Sequence, residues 1–148
     1  MYLIYWMKKI SRFVLAMLAL SAVIDLLGFA FGLFYAGIFY DNLAHFLTTF
    51  SLVALAGELY FRRELVSRRG VPHLTVRRAL AAGAALGFAG GVAWEGFEAL
   101  LDLAFPGLIY NPPVDSVVDT IFGTLGGAVA LWRTAVRFGL TSHARFAE

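Results

Sequence analysis

From Ala79 to Phe105 the chain reads ALAAGAALGFAGGVAWEGFEALLDLAF. A membrane-crossing helix needs roughly 20 consecutive, mostly apolar residues, and this run exceeds that length without a lysine or arginine. Its first half is built of small and aliphatic residues. Its three acids, Glu95, Glu98 and Asp102, all fall in the second half. Working outward, three more stretches have the same character: about Ile10 to Phe34, with Asp25 inside it, about Asp41 to Phe61, and about Ser116 to Val136. The chain turns within about Tyr35–Tyr40. The charged stretch RRELVSRRGVPHLTVRR (62–78) connects spans two and three, and PGLIYNPP (106–113) separates spans three and four. Proline lacks the amide donor and restricts the residue before it, which ends helices there. The expected fold is all-α: a single integral membrane domain, residues 1–148, built as a four-helix bundle.

The composition agrees. Of 148 residues, 60% are hydrophobic and 15% charged, against about 45–50% and about 25% for a soluble domain. The mean hydropathy is +0.76. An ordinary soluble domain, a disordered tail and a collagen-like repeat are excluded. The absence of cysteine excludes a disulfide framework, a zinc ribbon, an iron–sulfur cluster and a thiol nucleophile. The N-terminal run after Lys8, Lys9 and Arg12 is too long for a cleaved signal peptide and lacks its small-residue cleavage site. It is expected to remain as an anchor.

Orientation follows from the twelve basic residues. With four spans, Lys8, Lys9 and Arg12, the six arginines at 62, 63, 68, 69, 77 and 78, and Arg133, Arg137 and Arg145 all fall on one side. The positive-inside rule makes that side cytoplasmic, so both termini are expected there, in a multi-pass protein of the inner membrane. The basic connector then sets topology and adds some attraction to anionic lipid headgroups. Despite a net charge of +2, nucleic acid is not an expected partner.

The acids have the opposite distribution. Asp25, Asp41, Glu95, Glu98, Asp102, Asp115 and Asp119 are expected in the outer half of the membrane, with His45 and no lysine or arginine. Residues three, four and seven apart share a helix face. Asp41, His45 and Thr49 form one stripe, Glu95, Glu98 and Asp102 a second, and Asp115 and Asp119 a third. Inward, the third continues through Gly123 and Gly127, and the second through Gly91, Gly87 and Gly83. Small residues four apart let membrane helices approach closely. Spans three and four are antiparallel, so they are expected to touch through glycine and to bring their acids to one depth. The same stripes are also candidates for contact with a second copy or a partner membrane protein.

An aspartate near the bilayer centre costs roughly 2.5–3.5 kcal/mol on insertion scales. Several facing carboxylates therefore need compensation. Either some remain protonated, or a cation is bound. Carboxylates with one imidazole suit Mg²⁺, Mn²⁺ or Zn²⁺. The candidate ligands are His45, Glu95, Glu98, Asp115 and Asp119, with Asp41 orienting His45. Glu95 and Asp119 are the candidate catalytic carboxylates, either being able to act as base toward a water that a metal polarises. Asp25 and Asp102 are further candidates. Three readings stay open: a metal site that binds or acts on a lipid-linked or envelope substrate, a proton- or cation-coupled carrier, and a structural seam in an accessory subunit. The Glu-x-x-His repeats of di-iron bundles and the His-Glu-x-x-His of zinc proteases are absent. No glycine-rich phosphate loop follows a strand, and Ser51 and Ser116 are not grouped with a base. Glu58 and Arg62 are spaced for an i,i+4 surface ion pair. Tyr40, Tyr110 and Asn111 sit by the outer mouth of the acids, as headgroup contacts or as interfacial aromatic-belt residues. Trp6, Trp94 and Trp132 suit interfacial anchoring or packing. His73 and His143 fall on the basic side.

Tyr40-Asp41-x-x-x-His45-Phe46, then Glu58, Glu95-x-x-Glu98 and Asp115-x-x-x-Asp119, in this order, resemble the small bacterial inner-membrane proteins typified by YjdF. The layout is similar, more loosely, to VanZ-like proteins, which are associated with resistance to teicoplanin-type antibiotics. The likeness spans roughly Tyr40 to Leu131. It implies a fold class and a shared polar site, with no established activity. The approach to the last helix departs from the family: Asn111-Pro112-Pro113-Val114-Asp115 stands where a Gly-Asp-x-Trp-Asp-like sequence is usual.

Overall fold

A computed structural model describes residues 10–36, 38–66, 74–106 and 112–144. It contains four helices, α1 (Arg12–Phe31), α2 (Ile38–Val66), α3 (Val76–Ala104) and α4 (Pro113–Ala144), with a short 3₁₀ turn, Leu33–Tyr35, between the first two. Each helix is long and apolar enough to cross a membrane, as the hydropathy of the chain predicts. α2 and α4 run past the expected spans at both ends and α3 at its start, because the flanking polar turns remain helical: α2 continues to Val66, and α4 starts on Pro113 itself; α1 stops at Phe31, short of the expected Phe34. Proline suits the first helical position, where its missing amide would have no partner anyway. The carbonyl of Pro112 accepts from the amides of Asp115 and Ser116.

Local sequence sets the other ends. The Ser11 hydroxyl accepts from the Val14 amide at 3.3 Å and caps α1. The Thr75 hydroxyl does the same for α3 from Arg78 at 3.3 Å. Gly32 ends α1 with φ +64°, a left-handed conformation that glycine adopts at little cost. The chain then folds Phe34 back over Gly28, where any Cβ would run into the ring. Phe34 packs edge-on against Phe29 and Tyr40. The Tyr40 hydroxyl donates to the carbonyl of Ile24 at 2.6 Å, so it serves the α1–α2 corner.

α4 is the hub of the bundle, packing along both α3 and α2. The α3–α4 seam is made of glycine. A Cβ on Gly83 would collide with the carbonyl oxygen of Gly127, and one on Gly87 with that of Gly123. Across the other seam, a Cβ on Gly126 would strike the carbonyl of Phe46 on α2. The two glycine stripes on α3 and α4 thus face each other within this chain. α1 packs on α2 and the 3₁₀ turn, and most of its surface is left to the surroundings.

The basic end of the bundle holds a buried ionic network. Glu58 is 1% exposed. Its carboxylate accepts from the Ser11 amide at 2.8 Å and the Ser11 hydroxyl at 2.7 Å. Arg62 donates to it through Nε at 2.9 Å and also through Nη2, and Arg137 lies 3.7 Å away. The expected surface pair of Glu58 and Arg62 is therefore a core pair that fastens the start of α1 to α2 and α4. Helical spacing reveals Arg62 but not Ser11, 47 residues away. Around this network Phe61 stacks on Phe138 at 5.3 Å, and the Arg133 guanidinium lies 3.3 Å from the Phe13 ring centre. Hydrogen bonds to a charged group are worth about 1.5–3 kcal/mol each. Glu58→Gln leaves Arg62 without its counter-charge and is expected to destabilise the protein by about 2 kcal/mol, read as a lower melting temperature in detergent.

Candidate functional site

Asp41 and His45 lie one turn apart in the first turns of α2, and Asp119 lies in the second turn of α4. The α2–α4 packing brings them together. His45 Nε2 stands 3.4 Å from Asp41 Oδ1 and 3.7 Å from Asp119 Oδ2. One ligand atom from each residue falls within 4.8 Å of the others. The residue Asp119 is 1% exposed, and its second oxygen, Oδ1, is buried with no hydrogen-bond partner among the described residues. A buried unsatisfied carboxylate oxygen is costly, and it sits here beside a second acid and an imidazole.

The spacing bears on chemistry. Ordinary N–H···O hydrogen bonds measure about 2.7–3.2 Å, and both His45 contacts are longer. Two atoms that each lie about 2.1 Å from a tetrahedral ion are about 3.4 Å apart. The trio therefore has the span of three ligands around a common cation, and two carboxylates supply the charge that neutralises a divalent one. An Asp–His–Asp group of this kind could hold a metal ion.

Asp41 and His45 line a cavity of about 320 Å³ whose walls come from α1, α2 and α3, with Asp115 from α4, while Asp119 stands beside His45 outside the lining. The acidic residues lining it are Asp25, Asp41, Glu98 and Asp115. Asp25 accepts from the Thr48 hydroxyl at 2.9 Å, which links α1 to α2 at the cavity wall. Glu98 accepts from the Trp94 indole at 2.8 Å. Beyond Thr49 the lining becomes apolar, with Leu52, Val53, Ala56 and Leu86.

Not every acid singled out in the sequence joins this group. Glu95 lines a different, shallower cavity of about 580 Å³, with Ser116, Thr120 and Thr124. The stripe of fours explains the difference. Eight residues separate Gly87 from Glu95, and at about 100° each the face has turned by about 80°. Glu98 is eleven residues from Gly87, a net turn of only about 20°, and it lines the His45 cavity with Gly91. Asp102 is half-buried near the end of α3 and lines neither cavity. Asp41, expected to orient His45, offers an oxygen as close to Nε2 as Asp119 does. The signal for this was the Asp41-x-x-x-His45 spacing itself. Ser51 donates to the Leu47 carbonyl at 2.7 Å, inside its own helix. Trp6, His73, Tyr110, Asn111 and the side chain of His143 lie outside the described residues.

No curated protein and no solved structure matches the chain significantly, and the looser VanZ-like resemblance gains no support from these comparisons. The YjdF-like resemblance is compatible with the family that does match. An all-helical chain with four membrane-capable helices and most of its described acids gathered at one end is in keeping with a family model described as a predicted membrane protein, DUF2238, which matches residues 2–139, and the protein belongs to that family.

Proposed function

We propose that this protein holds a divalent metal ion, Mg²⁺, Mn²⁺ or Zn²⁺, at Asp41, His45 and Asp119, and presents it to a lipid-linked substrate that enters the adjoining cavity. The observation that carries this reading is the pair of His45 distances, 3.4 and 3.7 Å, which suit ligands sharing an ion better than partners in a hydrogen bond. The distribution of basic residues favours the inner membrane, with this end of the bundle on the outer face. Asp115 and Glu98, on the same cavity, are placed to contact the substrate or to complete the coordination. Asp119 is the better candidate for proton transfer, since Glu95 lines the other cavity.

A cation carrier fits less well. An ion crossing the membrane needs polar groups on both sides of its site, and the cavity turns apolar beyond Thr49. A seam needed only for packing would not call for a buried carboxylate oxygen without a hydrogen bond.

Metal analysis tests the proposal. Purified protein is stripped with chelator, dialysed against Mn²⁺ or Zn²⁺ and analysed for bound metal. One ion per chain is expected for the natural protein, with near-complete loss in His45→Ala and retention in Glu95→Gln. Equal metal content in the natural protein and His45→Ala would refute the assignment.

A further inference from the structure

The walls of the His45 cavity suggest which lipid it takes. Along α2 the lining runs from Asp41 to Ala56, about 22 Å at 1.5 Å per residue. The hydrocarbon core of a bilayer is about 30 Å thick, so a cavity of this length that opens at one membrane face reaches past the midplane. One end is acidic and the other aliphatic. Its long sides are α1 and α3, each packed on α2 but not closed on each other by the main helix contacts. The opening between them therefore faces the membrane interior, and lipid is what surrounds it.

The charges narrow the headgroup. Asp25, Glu98 and Asp115 line the cavity beside Asp41 and His45, and among the described residues no lysine or arginine does. Two carboxylates already neutralise a divalent ion. A purely anionic headgroup would therefore meet the remaining acids without compensation. A zwitterionic headgroup can set its phosphate oxygens on the metal and its ammonium among the remaining acids. A carboxylate can accept several hydrogen bonds, so Asp25 can take an ammonium donor besides the Thr48 hydroxyl. A primary ammonium can donate to it, and a quaternary one cannot. The buried Asp119 oxygen without a hydrogen-bond partner among the described residues, beside the cavity-lining His45, is independent support for a ligand at the metal end of the cavity.

We propose that the cavity binds one amine-bearing phospholipid of the phosphatidylethanolamine type. Its phosphate lies at the metal held by Asp41, His45 and Asp119, its ammonium among Asp25, Glu98 and Asp115, and one acyl chain along Leu52, Ala56 and Leu86. This rests on the metal reading above and deepens it by naming the substrate class.

The test is native mass spectrometry of Mn²⁺-loaded protein released from nanodiscs containing equal amounts of phosphatidylethanolamine, phosphatidylcholine and phosphatidylglycerol, with bound Mn²⁺ measured on the same samples. The expected result is one retained lipid per chain, with phosphatidylethanolamine preferred roughly tenfold over each of the others. Ala56→Trp and, separately, Leu52→Trp fill the apolar slot. Both should lose the lipid and keep Mn²⁺. Asp25→Asn should lose the preference while still retaining lipid. Soluble glycerophosphoethanolamine, which has the headgroup without the chains, should not compete at equal concentration. Equal or greater retention of phosphatidylglycerol, or undiminished lipid in both tryptophan variants with Mn²⁺ bound, would overturn the lipid assignment and leave the metal site standing. Failure of the natural protein to bind Mn²⁺ would overturn the metal reading, and the phosphate's place with it.

Discussion

Gly87→Leu should prevent α3 and α4 from closing and should be among the most damaging single changes in the bundle. Even a Cβ at this position meets the carbonyl oxygen of Gly123 and comes within 2.9 Å of the Thr124 Cα. Both obstacles are backbone of a facing helix, which cannot rotate aside as a side chain can. Overpacking a core costs about 1–3 kcal/mol where side chains can yield. Here the helices themselves must part, so a loss above about 3 kcal/mol is expected. The measurement is the fraction of protein that elutes monodisperse in detergent, followed by its melting temperature. Gly96→Ala is the control. A Cβ there meets nothing within 4 Å, and alanine is favoured over glycine inside a helix by about 0.5–1 kcal/mol. The first variant should be lost and the second recovered at equal or higher stability.

Asp119→Asn should remove metal binding without removing the fold. The side chains are nearly isosteric, but the amide carries no charge and binds a hard cation weakly. Affinity for Mn²⁺ or Zn²⁺ should fall by about 100-fold or more, the upper range seen when groups that merely support metal ligands are lost. The metal-free variant should be at least as stable as the natural protein, because a buried carboxylate beside Asp41 has been neutralised. A ligand that binds only the folded state adds about 2.7 kcal/mol at 100 times its dissociation constant. Saturating metal should therefore raise the melting temperature of the natural protein and leave that of Asp119→Asn unchanged. Asp102→Asn, outside both cavities, should respond to metal as the natural protein does.

The architecture was legible because it depends on one strong, local quantity. Twenty or more apolar residues between charged turns have few alternatives to a membrane helix, and four such runs were visible. The α3–α4 contact was legible for a similar reason: Gly83 and Gly87 need a partner that approaches closely, and Gly123 and Gly127 mirror them. The site was legible in part. The acids and His45 could be placed at one end by arithmetic, but not sorted around their helices. A repeat of four drifts from the true helical period, which separates Glu95 from the stripe that begins at Gly83. Which face of α2 meets α4 depends on Gly126 against Phe46, a pairing with no local signature. The grouping of Asp41 with Asp119 follows from that pairing. Ser11 on Glu58 has the same character, since contacts distant in sequence are decided by packing.

The most direct test of the metal assignment is anomalous diffraction from crystals grown with Mn²⁺. One strong peak is expected, bounded by Asp41, His45 and Asp119, at about 2.0–2.2 Å from each ligand atom. A peak at Glu95 in the other cavity, or Asp119 Oδ1 satisfied by a water with no peak beside it, would contradict the assignment.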